Sequence, residues 1–83
     1  MRDKTNMPFP ADCELNAEGL YCPEPVMLLH NKIRDMQVGD RVKIIATDPS
    51  TTRDIPKFCS FLGHELLEAK TEGKYFYYLV EKN

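Results

Sequence analysis

The sequence predicts an α+β fold, a two-layer α/β sandwich in the order β-α-β-α-β-β, with a mixed four-stranded sheet and two helices on one face. Three observations lead there. Four segments alternate apolar and polar residues or are rich in β-branched and aromatic residues, as strands are. Two segments carry apolar residues at helical spacing. The chain has 83 residues, enough for one domain whose sheet two helices of about 13 residues can cover.

Residues 1–11 read as a flexible tail, with Pro8 and Pro10, scattered charge and no periodicity. Residues 12–83 read as the single domain. Its first strand is expected at Asp12–Ala17, where Cys13, Leu15 and Ala17 alternate with Asp12, Glu14 and Asn16. Glu18-Gly19 breaks that pattern. A helix is expected just after Cys22. Pro23 suits the first helical position, where a missing N–H costs nothing, and Glu24 places a negative charge in the first turn. Val26, Leu29, Ile33 and Met36 form its apolar stripe, and Val38-Gly39-Asp40 ends it. The second strand is Arg41–Thr47, with Val42, Ile44 and Ala46 toward the helices and Lys43, Ile45 and Thr47 on the other face.

The second helix starts between Pro49 and Thr51 and runs to Leu62. Asp48-Pro49 and the pair Thr51/Asp54 are both start signals. Ile55, Phe58, Cys59 and Leu62 form its stripe, Pro56 lies early in it, and Gly63 stops it. Strands His64–Lys70 and Tyr75–Glu81 flank a hairpin turn at Thr71-Glu72-Gly73-Lys74. If the first two strands are parallel, their β-α-β connection is right-handed.

Composition narrows the function. The net charge is -2, from 11 basic and 13 acidic side chains mixed along the chain. The densest basic stretch, Lys32, Arg34, Arg41 and Lys43, is interrupted by Asp35 and Asp40, a poor footprint for direct nucleic-acid binding. No apolar run approaches the ~20 residues that cross a bilayer, and the first ten residues hold no signal-peptide core. A soluble cytoplasmic monomer, off the membrane, is expected. The cysteines Cys13, Cys22 and Cys59 are odd in number and show no Cys-x-x-Cys spacing, and His30 and His64 complete no ligand pattern. No metal, cofactor or disulfide framework is expected, only free thiols in a reducing compartment. So short a chain buries only roughly 60% of its unfolded surface, which places any chemistry near the surface.

Cys22 is the candidate. It lies at or beside the N-cap of the first helix, where unpaired backbone N–H groups and the helix dipole favour a thiolate. A thiol there is expected below the free value of ~8.5, and the thiolate is the nucleophile. Pro23 and Pro25 stiffen the junction and present the thiol at little ordering cost. Cys13 and Cys59 read as core residues. Glu24 reads as a helix-start charge whose carboxylate tends to raise the thiol's pKa. His30 lies two helical turns from Cys22, and His64 opens a strand without an identifiable partner, so a Cys-His hydrolase dyad is poorly supported. Met27 and Leu28 fall off the apolar stripe, either as stray exposed groups or as a docking patch beside the thiol. Arg53 either contacts a partner or pairs with a carboxylate.

Leu20-Tyr21-Cys22-Pro23-Glu24-Pro25-Val26-Met27 resembles the Cys-Pro-x-Pro signature of the TusA, or SirA-like, sulfur carrier family. The stretch from Ala46 to Cys59, with Asp48-Pro49 and Thr51-Thr52-Arg53-Asp54-Ile55-Pro56, is similar to that family's second signature. The resemblance spans about residues 12–82. It implies a β-α-β-α-β-β fold akin to the C-terminal domain of translation initiation factor 3. It implies that Cys22 carries sulfur as a cysteine persulfide, accepted from an IscS-like cysteine desulfurase. The acceptor it implies is a TusD-like relay carrier in a TusBCD-type complex, with the sulfur ending in tRNA wobble-uridine 2-thiolation. Some members also feed molybdenum-cofactor synthesis. Pro23, Glu24, Pro25, Met27, Leu28 and Arg53 would then be partner-binding. Two other classes remain open: a regulatory or nucleic-acid-binding module, disfavoured by charge, and a peroxidase-like enzyme with Cys13 as resolving thiol.

Overall fold

The computed structural model describes residues 11–83, so the expected tail, apart from its last residue, lies outside the described residues. The elements are β1 (Cys13–Ala17), α1 (Glu24–Arg34), β2 (Arg41–Ala46), α2 (Thr51–Leu62), β3 (Glu65–Glu72) and β4 (Tyr75–Glu81). This is the expected order and an α+β fold. The sheet order is β1-β2-β4-β3, with β1 and β2 parallel and the other neighbours antiparallel.

Register follows from the apolar alternation, because slipping a strand by one residue would turn its core face to solvent. Cys13, Leu15 and Ala17 pair with Val42, Ile44 and Ala46, and these pair in turn with Val80, Tyr78 and Phe76. Leu29 and Ile33 from α1, Met36 just past the end of that helix rather than on its stripe, and Ile55 and Cys59 from α2 join Ala17, Val42, Ile44, Ala46, Tyr78 and Val80 in one core. Both helices therefore cover the same face of the sheet.

The departures from expectation are local. In α1 the buried residues are Pro25, Leu29 and Ile33, while Val26 is only half-buried. Leu62, expected on the apolar stripe of α2, is 43% exposed. Lys43 lies on the face away from the helices, as its position in β2 dictates, yet it is buried. Its cross-strand neighbours are Glu14 and Leu79, and its Nζ sits 3.5 Å from the Glu14 carboxylate. Such a lysine can lay its methylene stem on apolar neighbours while its head finds a counter-charge. The final hairpin is tighter than expected. β3 extends to Glu72, which pairs with Tyr75, and only Gly73-Lys74 form the loop, with Gly73 at φ 60°.

Candidate functional site

The two parallel strands end on the same side of the sheet, and the loops that leave them meet there. Ligand sites on α/β sheets gather outside the carboxyl ends of parallel strands. The loop after β1 leads to Cys22, and the loop after β2 leads to Asp48. The Gly19 N–H donates to Thr47 Oγ1 at 2.8 Å, and the Cys22 N–H donates to Asp48 Oδ2 at 2.8 Å. Asp48 also turns its own loop into α2, because its Oδ1 accepts the Ser50 N–H and its Oδ2 accepts the Ser50 hydroxyl. A single carboxylate thus ties the cysteine's backbone to the start of the second helix. These bonds favour the charged form and hold Asp48 below the usual carboxylate range.

The start of α2 settles between the two signals in the sequence. Ser50 is the N-cap residue and Thr51 the first helical one. The Thr51 hydroxyl donates to the Asp48 carbonyl at 2.8 Å and lies 2.9 Å from the Tyr78 hydroxyl, so it pins the turn to the sheet. Asp54 is thereby set in the first turn as an acidic side chain that pairs with Arg53 rather than capping the helix.

The start of α1 differs from expectation by one residue. Glu24 opens the helix, Pro23 is the N-cap residue and Pro25 is second, so Cys22 stands just outside the helix. The Cys22–Pro23 peptide bond is cis. The expected ring of free N–H donors is thin here. Pro23 and Pro25 have none to give, and the Glu24 N–H already bonds the Tyr21 carbonyl at 2.8 Å. The thiol meets carboxylates instead. The Asp54 carboxylate beside the thiol is the first cause that pushes Cys22 above its ordinary value, with some loss of solvation and the charge of Asp48 adding to it, against a smaller opposing pull from Arg53. The expected low thiol pKa is overturned, because the local charge is acidic and the proline-bearing turn supplies few donors.

Cys22 opens onto a groove of about 490 Å³ lined by Pro23 and Val26 of the α1 start and by Asp54, Lys57, Phe58 and Phe61 of α2. The other cysteines are covered. Cys59 is buried, which pushes its thiol up to about 11, and Cys13 is half-buried with its pKa raised by the same cause. Cys13 also opens β1 while Cys22 lies beyond its end. Four residue steps, about 13 Å of strand, intervene before the connecting loop, so Cys13 is badly placed as a resolving thiol.

Of the other expected site residues, Pro23, Glu24 and Met27 are exposed beside Cys22, and Met27 is 57% exposed. Arg53 is exposed on α2 with its Nε 3.3 Å from Asp54 Oδ1, so it pairs with a carboxylate of the site itself. Pro25 is fully buried and offers no contact face, because it anchors the first turn of α1 to the core. Leu28 is half-buried rather than exposed. His64 does have partners: its Nδ1 accepts the Asn83 N–H at 3.2 Å, and its ring lies 6.1 Å from that of Phe58. Asp48, Phe58 and Phe61 were missed as site residues. Phe61, 89% exposed on α2, was detectable as an apolar residue off the helix's stripe.

Among the described residues, no group of three or more His, Cys, Asp or Glu side chains is placed to hold a metal ion. No described helix is long and apolar enough to cross a membrane.

Comparison with known proteins agrees on one lineage. The family described as Sulfurtransferase TusA matches residues 13–82. A sulfur carrier protein TusA of Pseudomonas paraeruginosa is 61% identical over 77 residues, covering 92% of this chain and 98% of that protein. Its namesake in Pseudomonas syringae pv. syringae is 60% identical over 73 residues, 87% of either chain. That of Pseudomonas putida strain W619 is 57% identical over 75 residues, covering 89% of this chain and 94% of that protein.

Proposed function

The chain belongs to the TusA sulfurtransferase family of sulfur carriers, and from that premise we propose that Cys22 is the atom-bearing site, accepting sulfur from a cysteine desulfurase persulfide and passing it to a downstream relay carrier for tRNA wobble-uridine 2-thiolation in the cytoplasm. The observation that carries this reading is the contrast among three thiols. Only Cys22 is exposed, and it stands at the mouth of an apolar-walled groove.

The transfer is thiol–persulfide exchange. The Cys22 sulfur attacks the outer sulfur of the donor persulfide, and a new S–S bond forms. The donor's S–S bond breaks, its electron pair stays on the donor cysteine sulfur, and that sulfur takes up the proton Cys22 releases. Nothing is oxidised or reduced overall, so the step calls for no resident cofactor. Passing the sulfur on repeats the exchange with Cys22 as the leaving thiol. The Cys22 backbone, tied by Asp48, presents an exposed sulfur at the mouth of an open groove, which suits a site that must meet two different partner proteins in turn. Donor and acceptor are proposed to dock over Pro23, Glu24, Met27 and Arg53 and the groove wall. An IscS-like donor and a TusD-like acceptor are the partners the family resemblance suggests.

The end use is tested in cells that depend on this chain for the pathway. Cys22→Ser is expected to abolish 2-thiouridine in digested tRNA, read by nucleoside mass spectrometry, with Cys59→Ser retaining it. Normal thiolation with Cys22→Ser as the sole copy contradicts the reading.

A further inference from the structure

The groove pairs its exposed thiol with a carboxylate, and this pairing is unusual for a nucleophile. Asp54 sits in the first turn of α2 with its side chain 18% exposed, facing the groove that Cys22 opens onto. The charged groups around the thiol come from three elements. α2 supplies Asp54, Arg53 and, on the groove wall, Lys57. The loop after β2 supplies Asp48, and the first turn of α1 supplies Glu24.

We propose that Asp54 is a positioning residue that holds the proton on Cys22, keeping the unloaded carrier as a guarded thiol whose ionisation is set by the Asp54–Arg53 pair. An ionised carboxylate only accepts hydrogen bonds. A neutral S–H can donate to it, whereas a thiolate can only be repelled by it. Asp48 adds its charge, but its carboxylate already accepts the Cys22 N–H, the Ser50 N–H and the Ser50 hydroxyl. Arg53 acts with the opposite sign, since its Nε sits 3.3 Å from Asp54 Oδ1 and offsets the negative charge the thiol feels. The directions accord with two side chains that line one groove: Cys22 is raised and Asp54 lowered, each chiefly by the other. A guarded thiol resists stray oxidants and electrophiles, which attack thiolates, between visits to its partners.

The inference takes its biological sense from the carrier reading, but its test needs no sulfur donor, so the two fail separately. The rate of Cys22 alkylation by iodoacetamide, followed by peptide mass spectrometry from neutral to alkaline pH, reports the thiol's ionisation midpoint. Asp54→Asn is expected to lower the midpoint and Arg53→Gln to raise it, while Asp54→Glu keeps it near wild type. At neutral pH each unit of fall multiplies the thiolate about tenfold, and the weaker nucleophile returns about threefold of that. Asp54→Asn should therefore alkylate about threefold faster per unit shifted. A merely structural role for Asp54 predicts no such opposed shifts. A midpoint in Asp54→Asn equal to or above wild type overturns the proposal. So does an unchanged or lowered midpoint in Arg53→Gln, an exposed substitution that decides the matter even if Asp54→Asn does not fold.

Discussion

Cys22 is set apart by its surroundings, since the chain carries the same side chain twice more. At Cys59 the surroundings are apolar, and burial pushes the thiol from 9.0 to about 11. The consequence for stability has a definite sign. Between those values the unfolded chain ionises Cys59 while the folded chain keeps it neutral, so folding binds the proton more tightly. The stabilisation is complete below pH 9 and is lost as pH rises through 11. A shift of that size corresponds to about 2–3 kcal/mol. Chemical denaturation of wild type and Cys59→Ala across this range is expected to show a steeper alkaline fall in wild type, and parallel curves would contradict the burial account. What was legible at this scale was which thiol is available, because Pro23 and Glu24 mark a helix start beside Cys22. The thiol's electrostatics were not legible. They depend on Asp48, 26 residues away, and on Asp54 further still, and only folding brings these to the cysteine.

At the scale of the elements, α1 serves two purposes with two faces. Pro25, Leu29 and Ile33 anchor it, and Met27 stands out beside the thiol. The expectation of a donor-rich helix start failed for a reason present in the sequence. The prolines that mark the start also remove its N–H groups, and the general rule for helix termini outweighed that particular. The start of α2 was ambiguous because its two signals share one solution: Asp48 makes the turn, Thr51 bonds back to it, and Asp54 is released to the groove. The docking role of the exposed faces is open to a direct check. Met27→Asp is expected to leave the thermal midpoint unchanged and to weaken binding to a cysteine desulfurase by about tenfold or more, as losing one apolar anchor at an interface does. Unchanged affinity in a calorimetric titration would remove Met27 from the interface.

For the whole molecule, element order and core face were legible because alternation and helical spacing fix which residues point inward. Val42, Ile44 and Ala46 illustrate this. The spatial order β1-β2-β4-β3 was not, since local pattern does not say where the last hairpin inserts. Nor was the burial of Lys43, which depends on Glu14 and Leu79 arriving from both neighbouring strands. The sheet's contribution to function is placement: two parallel strands deliver the Cys22 loop and the Asp48 loop to one edge, and two helices wall the groove between them. Sulfur landing on Cys22 is the central expectation. The purified chain, incubated with a cysteine desulfurase and cysteine and then mapped by peptide mass spectrometry, is predicted to gain one sulfur atom on the Cys22 peptide, removable by reductant and absent in Cys22→Ser. No added sulfur, or sulfur on the Cys59 peptide instead, would contradict it.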